Sequence, residues 1–144
     1  MTERGHATAK SESDYEWRGT FLTIIVVGIG GVVGSTARWQ ISEWSVEHWP
    51  SSFPWGTFLI NVSGSFILGL YLTIVTKRIA GRPLTRLLVA TGVLGAYTTF
   101  STFVYETVRL IQHGEPLTAV TYLVASLIAG LAACAVGIFA GRAR

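Results

Sequence analysis

GVLGAYTTFSTFVYE, residues 92–106, sets two glycines and four hydroxylated residues into a stretch that is otherwise apolar. The charge-free window around it, Leu87 to Tyr105, has about 19 residues, just enough for a helix to cross a bilayer core. Its centre is a poor helix. Glycine and β-branched threonine both weaken helical structure, and Ser and Thr hydroxyls offer the backbone competing hydrogen bonds. The crowding of Gly92, Gly95, Thr98, Thr99, Ser101 and Thr102 predicts local unwinding near Gly95 to Thr99. Unwound backbone at membrane depth persists only where protein, water or an ion satisfies it. Carbonyls freed there and facing a common centre would suit a small, hard cation.

Outward from this segment the chain repeats the same length of apolar sequence. Charge-free windows also run from Gly19 to Ala37, His48 to Thr76 and Pro116 to Gly141. With half of its 144 residues hydrophobic and a mean hydropathy of +0.49, the chain belongs to the membrane class. The spacing predicts an all-α fold of four transmembrane helices: about Phe21 to Trp39, Trp55 to Thr76, a broken third ending near Arg109 or Ile111, and Leu117 to Ala140. Residues 20–141 are expected to form one four-helix transmembrane domain, with residues 1–19 a poorly ordered tail and residues 142–144 a short one. The mixed acidic and basic start does not match a secretory signal. Trp39, Trp44, Trp49 and Trp55 mark the headgroup level, and Pro50 and Pro54 end the first loop.

Charge sets the orientation. With four spans, the termini share a side with the turn between the second and third helices. That side holds Arg4, Lys10, Arg18, Lys77, Arg78, Arg82, Arg86, Arg142 and Arg144, against Arg38 and Arg109 opposite. The positive-inside rule places both termini in the cytoplasm. The basic residues read as topology signals, and no nucleic-acid partner is expected. Cys134 is the lone cysteine, and His6, His48 and His113 lie too far apart to gather a metal.

Polar residues within the spans need partners other than lipid. On the second helix Thr57, Asn61 and Ser65 recur every four residues, a stripe on one face. A mid-membrane asparagine either glues helices together or faces a water-filled path. The fourth helix repeats the pattern with Thr118, Tyr122, Ser126 and Gly130. Gly30 and Gly34 on the first helix read as close helix packing. Phe100 and Phe103, three apart, share a face; they are core or lipid filler, or they offer positive ring edges to an anion. Glu106 lies three residues from Arg109, where a surface pair is expected. Arg38 either snorkels or anchors a structural hydrogen bond. A lining of amide, hydroxyl and ring-edge donors suits a small, strongly hydrated anion that must enter and leave. It argues against a proton-coupled pump, which needs a buried carboxylate or His relay.

These motifs resemble a known family. GGVVGSTARW, WGTFLINVSGSFILG, GVLGAYTTFSTFVYE and the Tyr122/Ser126 pair are similar to the CrcB/Fluc fluoride-specific ion channels, in order, from about Phe21 to Ala140. The resemblance implies an antiparallel dimer with two fluoride pores, passive export of toxic fluoride across the plasma membrane, and a structural sodium ion that is not transported. It assigns main-chain carbonyls of Gly95 and Thr98 to that sodium, Phe100 and Phe103 to the paired pore aromatics, and Asn61 to the pore asparagine. Thr57, Tyr122 and Ser126 fall on the polar track, and Arg38 and Glu106 near the pore ends.

One feature departs from the pattern. A homodimer whose identical chains insert both ways needs balanced loop charges, whereas nine of the eleven Lys and Arg residues fall on one predicted side. The partner in the antiparallel dimer is a second copy of the chain or, as the charge bias favours, an oppositely oriented homologue. The rival function is a small four-helix multidrug exporter, which requires a carboxylate embedded in its first helix; Phe21 to Ala37 contains none. A scaffold whose Gly and Ser serve packing alone is a further reading. An enzyme is not expected, because no nucleophile, base and third partner gather.

Overall fold

The computed structural model describes residues 3–78 and 83–143, so Arg82 of the basic turn and Arg144 of the carboxyl end lie outside the described residues. The described chain is helical, with no strand. Its elements are α1 (Glu3–His48), α2 (Trp55–Arg78), α3 (Pro83–Arg86), a π-helical segment (Leu87–Leu94), α4 (Gly95–Tyr97), α5 (Phe100–Gln112) and α6 (Pro116–Arg142). Four stretches are long and apolar enough to cross a membrane: Gly19–His48, Trp55–Thr76, Pro83–Gln112 and Pro116–Arg142. The protein is a multi-pass membrane protein.

Two boundaries differ from the sequence expectation. The first helix does not stop near Trp39 but continues to His48, because nothing between Arg38 and Trp49 breaks a helix. Pro50, lacking an N–H, marks the first residue that cannot join it. The helix also reaches back to Glu3, so the segment expected as a tail is continuous with the first span. In the third span the helix gives way only at Thr98 and Thr99, which are extended (φ −79°, ψ 155° and φ −147°, ψ 121°); Gly95 keeps helical angles. The tight turn before α6 uses Gly114 at φ 79°, a backbone region open to glycine.

Lipid tails are as apolar as leucine, so these helices associate through close contact, not through escape from water. Gly30 and Gly34 meet the π-helical segment with no room between: a methyl on Gly30 would sit 2.9 Å from the Gly92 Cα. The packing role expected of this pair is what the fold uses. Across the molecule α2 lies along α6, where a methyl on Gly69 would meet the main-chain oxygen of Cys134. One small core joins Phe103, Leu110, Ala119 and Tyr122; another joins Ile60, Leu94 and Tyr97. The outer faces are apolar and open, with Leu117, Leu131 and Phe139 at least 73% exposed, as helices facing lipid or another subunit require.

Candidate functional site

The break in the third span is held from α2. Asn61 Nδ2 donates to the Thr99 carbonyl at 3.0 Å, and the Thr99 N–H donates to Asn61 Oδ1 at 2.9 Å. This reciprocal pair engages both main-chain polar groups of Thr99, whose N–H no helix satisfies. It also fixes the amide orientation, since only an oxygen can accept from the Thr99 N–H, and it leaves one Asn61 N–H for the adjacent cavity. Thr99 in turn caps α5: its Oγ1 accepts from the Thr102 N–H at 3.3 Å. Tyr97 OH shares a hydrogen bond with Ser63 Oγ at 2.8 Å, tying α4 to α2. Gly64 makes this approach possible, since a methyl there would run into Thr98 and Tyr97.

One consequence falls on the carbonyls of Gly95 and Thr98. An unbroken helix would direct the Thr99 N–H to Gly95 and the Thr102 N–H to Thr98. Those donors are bonded to Asn61 and to the Thr99 hydroxyl instead. Among the described residues no three His, Cys, Asp or Glu side chains gather, so a cation here meets neutral oxygens. Such oxygens suit a hard, singly charged ion, and Gly95 lies at the exposed surface of the subunit. The donor set fits a sodium ion held by main-chain oxygens.

Four predicted residues converge one turn further along. Glu106 accepts from Thr57 Oγ1 through Oε1 at 2.9 Å and from Tyr122 OH through Oε2 at 2.8 Å. Thr57 is 4% exposed and Tyr122 fully enclosed. The Phe103 ring stands edge-on to Tyr122, with centroids 5.1 Å apart. The expected surface pair between Glu106 and Arg109 does not form: Glu106 faces inward, and Arg109 reaches His113. The reason is register. Thr99, Phe103 and Glu106, spaced four and three, share one helical face. That spacing was available in the sequence and is the signal that pointed inward.

Phe100 and Phe103 are neighbours with centroids 6.0 Å apart, but Phe103 is buried while Phe100 is 76% exposed. Both border a cavity of about 490 Å³ that also takes in Asn61, Ser126, Gly95 and Thr98. Ser126 Oγ is buried with no hydrogen-bond partner among the described residues. Of the three predicted track hydroxyls, Thr57 and Tyr122 thus already donate to Glu106, and Ser126 is unengaged. Arg38 lies half-buried in the body of α1 and does not border this cavity. Sequence reasoning missed the Ser63–Tyr97 bond; both residues looked like ordinary span residues.

Comparison with known proteins follows the same outline. The sequence profile of the family described as "CrcB-like protein, Camphor Resistance (CrcB)" matches residues 25–138. A "Fluoride-specific ion channel FluC" of Acidobacterium capsulatum is 46% identical over 116 residues, covering 81% of this chain and 93% of that relative. One of Rhizobium meliloti is 40% identical over 120 residues, covering 83% and 93%. A "Fluoride-specific ion channel FluC 2" of Clostridium acetobutylicum is 45% identical over 110 residues, covering 76% and 90%. The matched region holds the broken third span, the Asn61 stripe and the Tyr122/Ser126 pair together, and this chain belongs to the CrcB family.

Proposed function

We propose that the chain is a subunit of a fluoride-selective channel that lets cytoplasmic fluoride leave passively and so limits its toxicity. The arrangement that carries this reading is the neutral lane along α2 and α6. Ser126 has an unengaged hydroxyl, Asn61 keeps a free amide N–H, and the Phe103 ring borders the same cavity. Each can replace a water of a small anion without holding it by a full charge. An ion reaching Thr57 and Tyr122 must share hydroxyl protons that Glu106 otherwise accepts, which makes that level the narrow point.

Main-chain oxygens of Gly95 and Thr98 would hold the sodium, which supplies a fixed positive charge and joins subunits; it is not part of the transported stream. The exposed Phe100 ring and the exposed Gly95 surface favour a partner packed over the break. That partner is an antiparallel one, and the charge bias favours an oppositely oriented homologue over a second copy. The membrane is the plasma membrane, with both termini cytoplasmic. Membrane lipid covers the remaining apolar faces, and Arg38 and Glu106 stand toward the pore ends. A multidrug exporter finds no support, since the span within α1 carries no carboxylate from Gly19 to Ser42.

Liposomes loaded with fluoride, with and without the companion subunit, test this reading. Efflux of fluoride but not chloride is expected. Phe100→Ile should cut flux at least about tenfold while leaving the melting temperature unchanged, because an exposed ring contributes little to the fold of its own subunit. Phe103→Ile should lose flux and stability together, since its contact with Tyr122 is buried. Vesicles tight to fluoride with the companion present would refute the reading.

A further inference from the structure

A second cavity, of about 370 Å³, opens where α1 ends and α2 begins, bordered by Ser42, Ser45, Trp49, Trp55, Thr57 and Glu106. It does not merge with the cavity beside Asn61. The two meet at α2, where Thr57 borders one and Asn61 the other, a single turn or about 6 Å apart. Between them stand the Glu106 carboxylate, with its two hydroxyl donors, and the Phe103 ring against Tyr122. The narrow level therefore has a cavity on each side.

Ser45 is the unusual residue of this second cavity. It is 3% exposed, yet its hydroxyl finds no partner among the described residues, and neither does that of Ser42. Serines and threonines buried in helices normally turn the hydroxyl onto the carbonyl four residues back. Ser63, Ser65, Thr73 and Thr107 all do so here. Ser42 and Ser45, three apart on one face of α1, leave their protons undirected. Gly56 brings α2 against them: a methyl there would lie 3.2 Å from the Ser42 Cα and 3.4 Å from the Ser45 Cβ.

The geometry points to this cavity as a vestibule of the conduction lane, with Ser45 as a residue that contacts the ion. A halide leaving Thr57 and Tyr122 meets the Ser45 hydroxyl before it regains bulk water. Neutral donors thus continue past Glu106. The C-terminal extension of α1 beyond Trp39 is what builds this wall. The inference rests on the fluoride-conducting reading.

The test uses the assembled channel, with its companion subunit, in a Cys134→Ser background so that an introduced cysteine is the chain's one thiol. Ser45→Cys is labelled in micelles with a bulky, water-soluble methanethiosulfonate, the extent is read by intact mass, and the protein is reconstituted for efflux. Labelling should reduce fluoride efflux at least tenfold relative to the unlabelled protein. Ser52→Cys, on the exposed loop, should label with full efflux retained. Ser45→Ala should slow efflux roughly ten- to a hundredfold, the loss of one hydrogen bond to a charged group. Complete labelling of Ser45→Cys with undiminished efflux, or failure of a conducting Ser45→Cys to label, overturns the vestibule. Unchanged efflux in Ser45→Ala overturns the ionic contact. An unsubstituted channel that passes no fluoride would instead sink the underlying reading, an outcome visible before any residue is replaced.

Discussion

Asn61 does two things with one amide. It bonds both main-chain polar groups of Thr99, and its remaining N–H borders the cavity. The sequence left open whether this asparagine glued helices or lined a path; the geometry shows the bond between helices, with the second amide N–H beside the cavity. Asn61→Asp keeps an acceptor for the Thr99 N–H but sets a second carboxylate oxygen against the Thr99 carbonyl, where no donor remains. The expected result is loss of fluoride efflux together with a melting temperature lowered by the equivalent of about 1–3 kcal/mol, the cost of one unsatisfied buried group. A conducting, equally stable Asn61→Asp would place this residue outside the path. Glu106 was the residue least legible beforehand. A carboxylate three residues from an arginine reads as a surface pair until its register with Thr99 and Phe103 is followed across the break.

At the scale of elements, the interruption of the third span was legible because its cause is local: glycines and hydroxyls concentrated in one short stretch. Its narrowness was not, because the two extended residues are fixed by α2, which local propensity does not see. The length of α1 was misjudged for the opposite reason. Tryptophans at a headgroup level suggested a loop, yet Trp39 and Trp44 ride on a helix that runs on to His48, just short of Pro50. The glycines of α1 offer a paired test. A methyl on Gly34 would collide with Val93 of the π-helical segment, whereas one on Gly31 would meet nothing within 4 Å. Gly34→Ala should lower the melting temperature in detergent; Gly31→Ala should leave it unchanged or raise it by the equivalent of about 1 kcal/mol, the propensity gain of alanine in a helix. Equal effects at both positions would remove the close-packing account of this face.

For the whole molecule, the count of four spans could be read from the chain, since it follows from length and from which residue types lipid rejects. The charge asymmetry is sharper in the structure than in the count. Because α1 continues to His48, Arg38 sits within the span, and Arg109 is the one Lys or Arg near the ends of the α1–α2 and α5–α6 connections. Expressed alone and probed by crosslinking and tag accessibility, the chain should take one orientation and form no stable antiparallel pair; adding an oppositely oriented homologue should produce one. A stable antiparallel homodimer would refute the heteromeric arrangement. The clasp between Asn61 and Thr99 also bears on how the protein is made. The third span enters the bilayer with a Thr99 N–H that its own helices cannot satisfy, and hydrocarbon offers no substitute. Its rescuer lies on the preceding segment, which leaves the ribosome earlier. Synthesis order therefore delivers the template before the part that requires it, and a rearranged gene that moved the second segment behind the third would strand a nascent intermediate for quality-control proteases to remove.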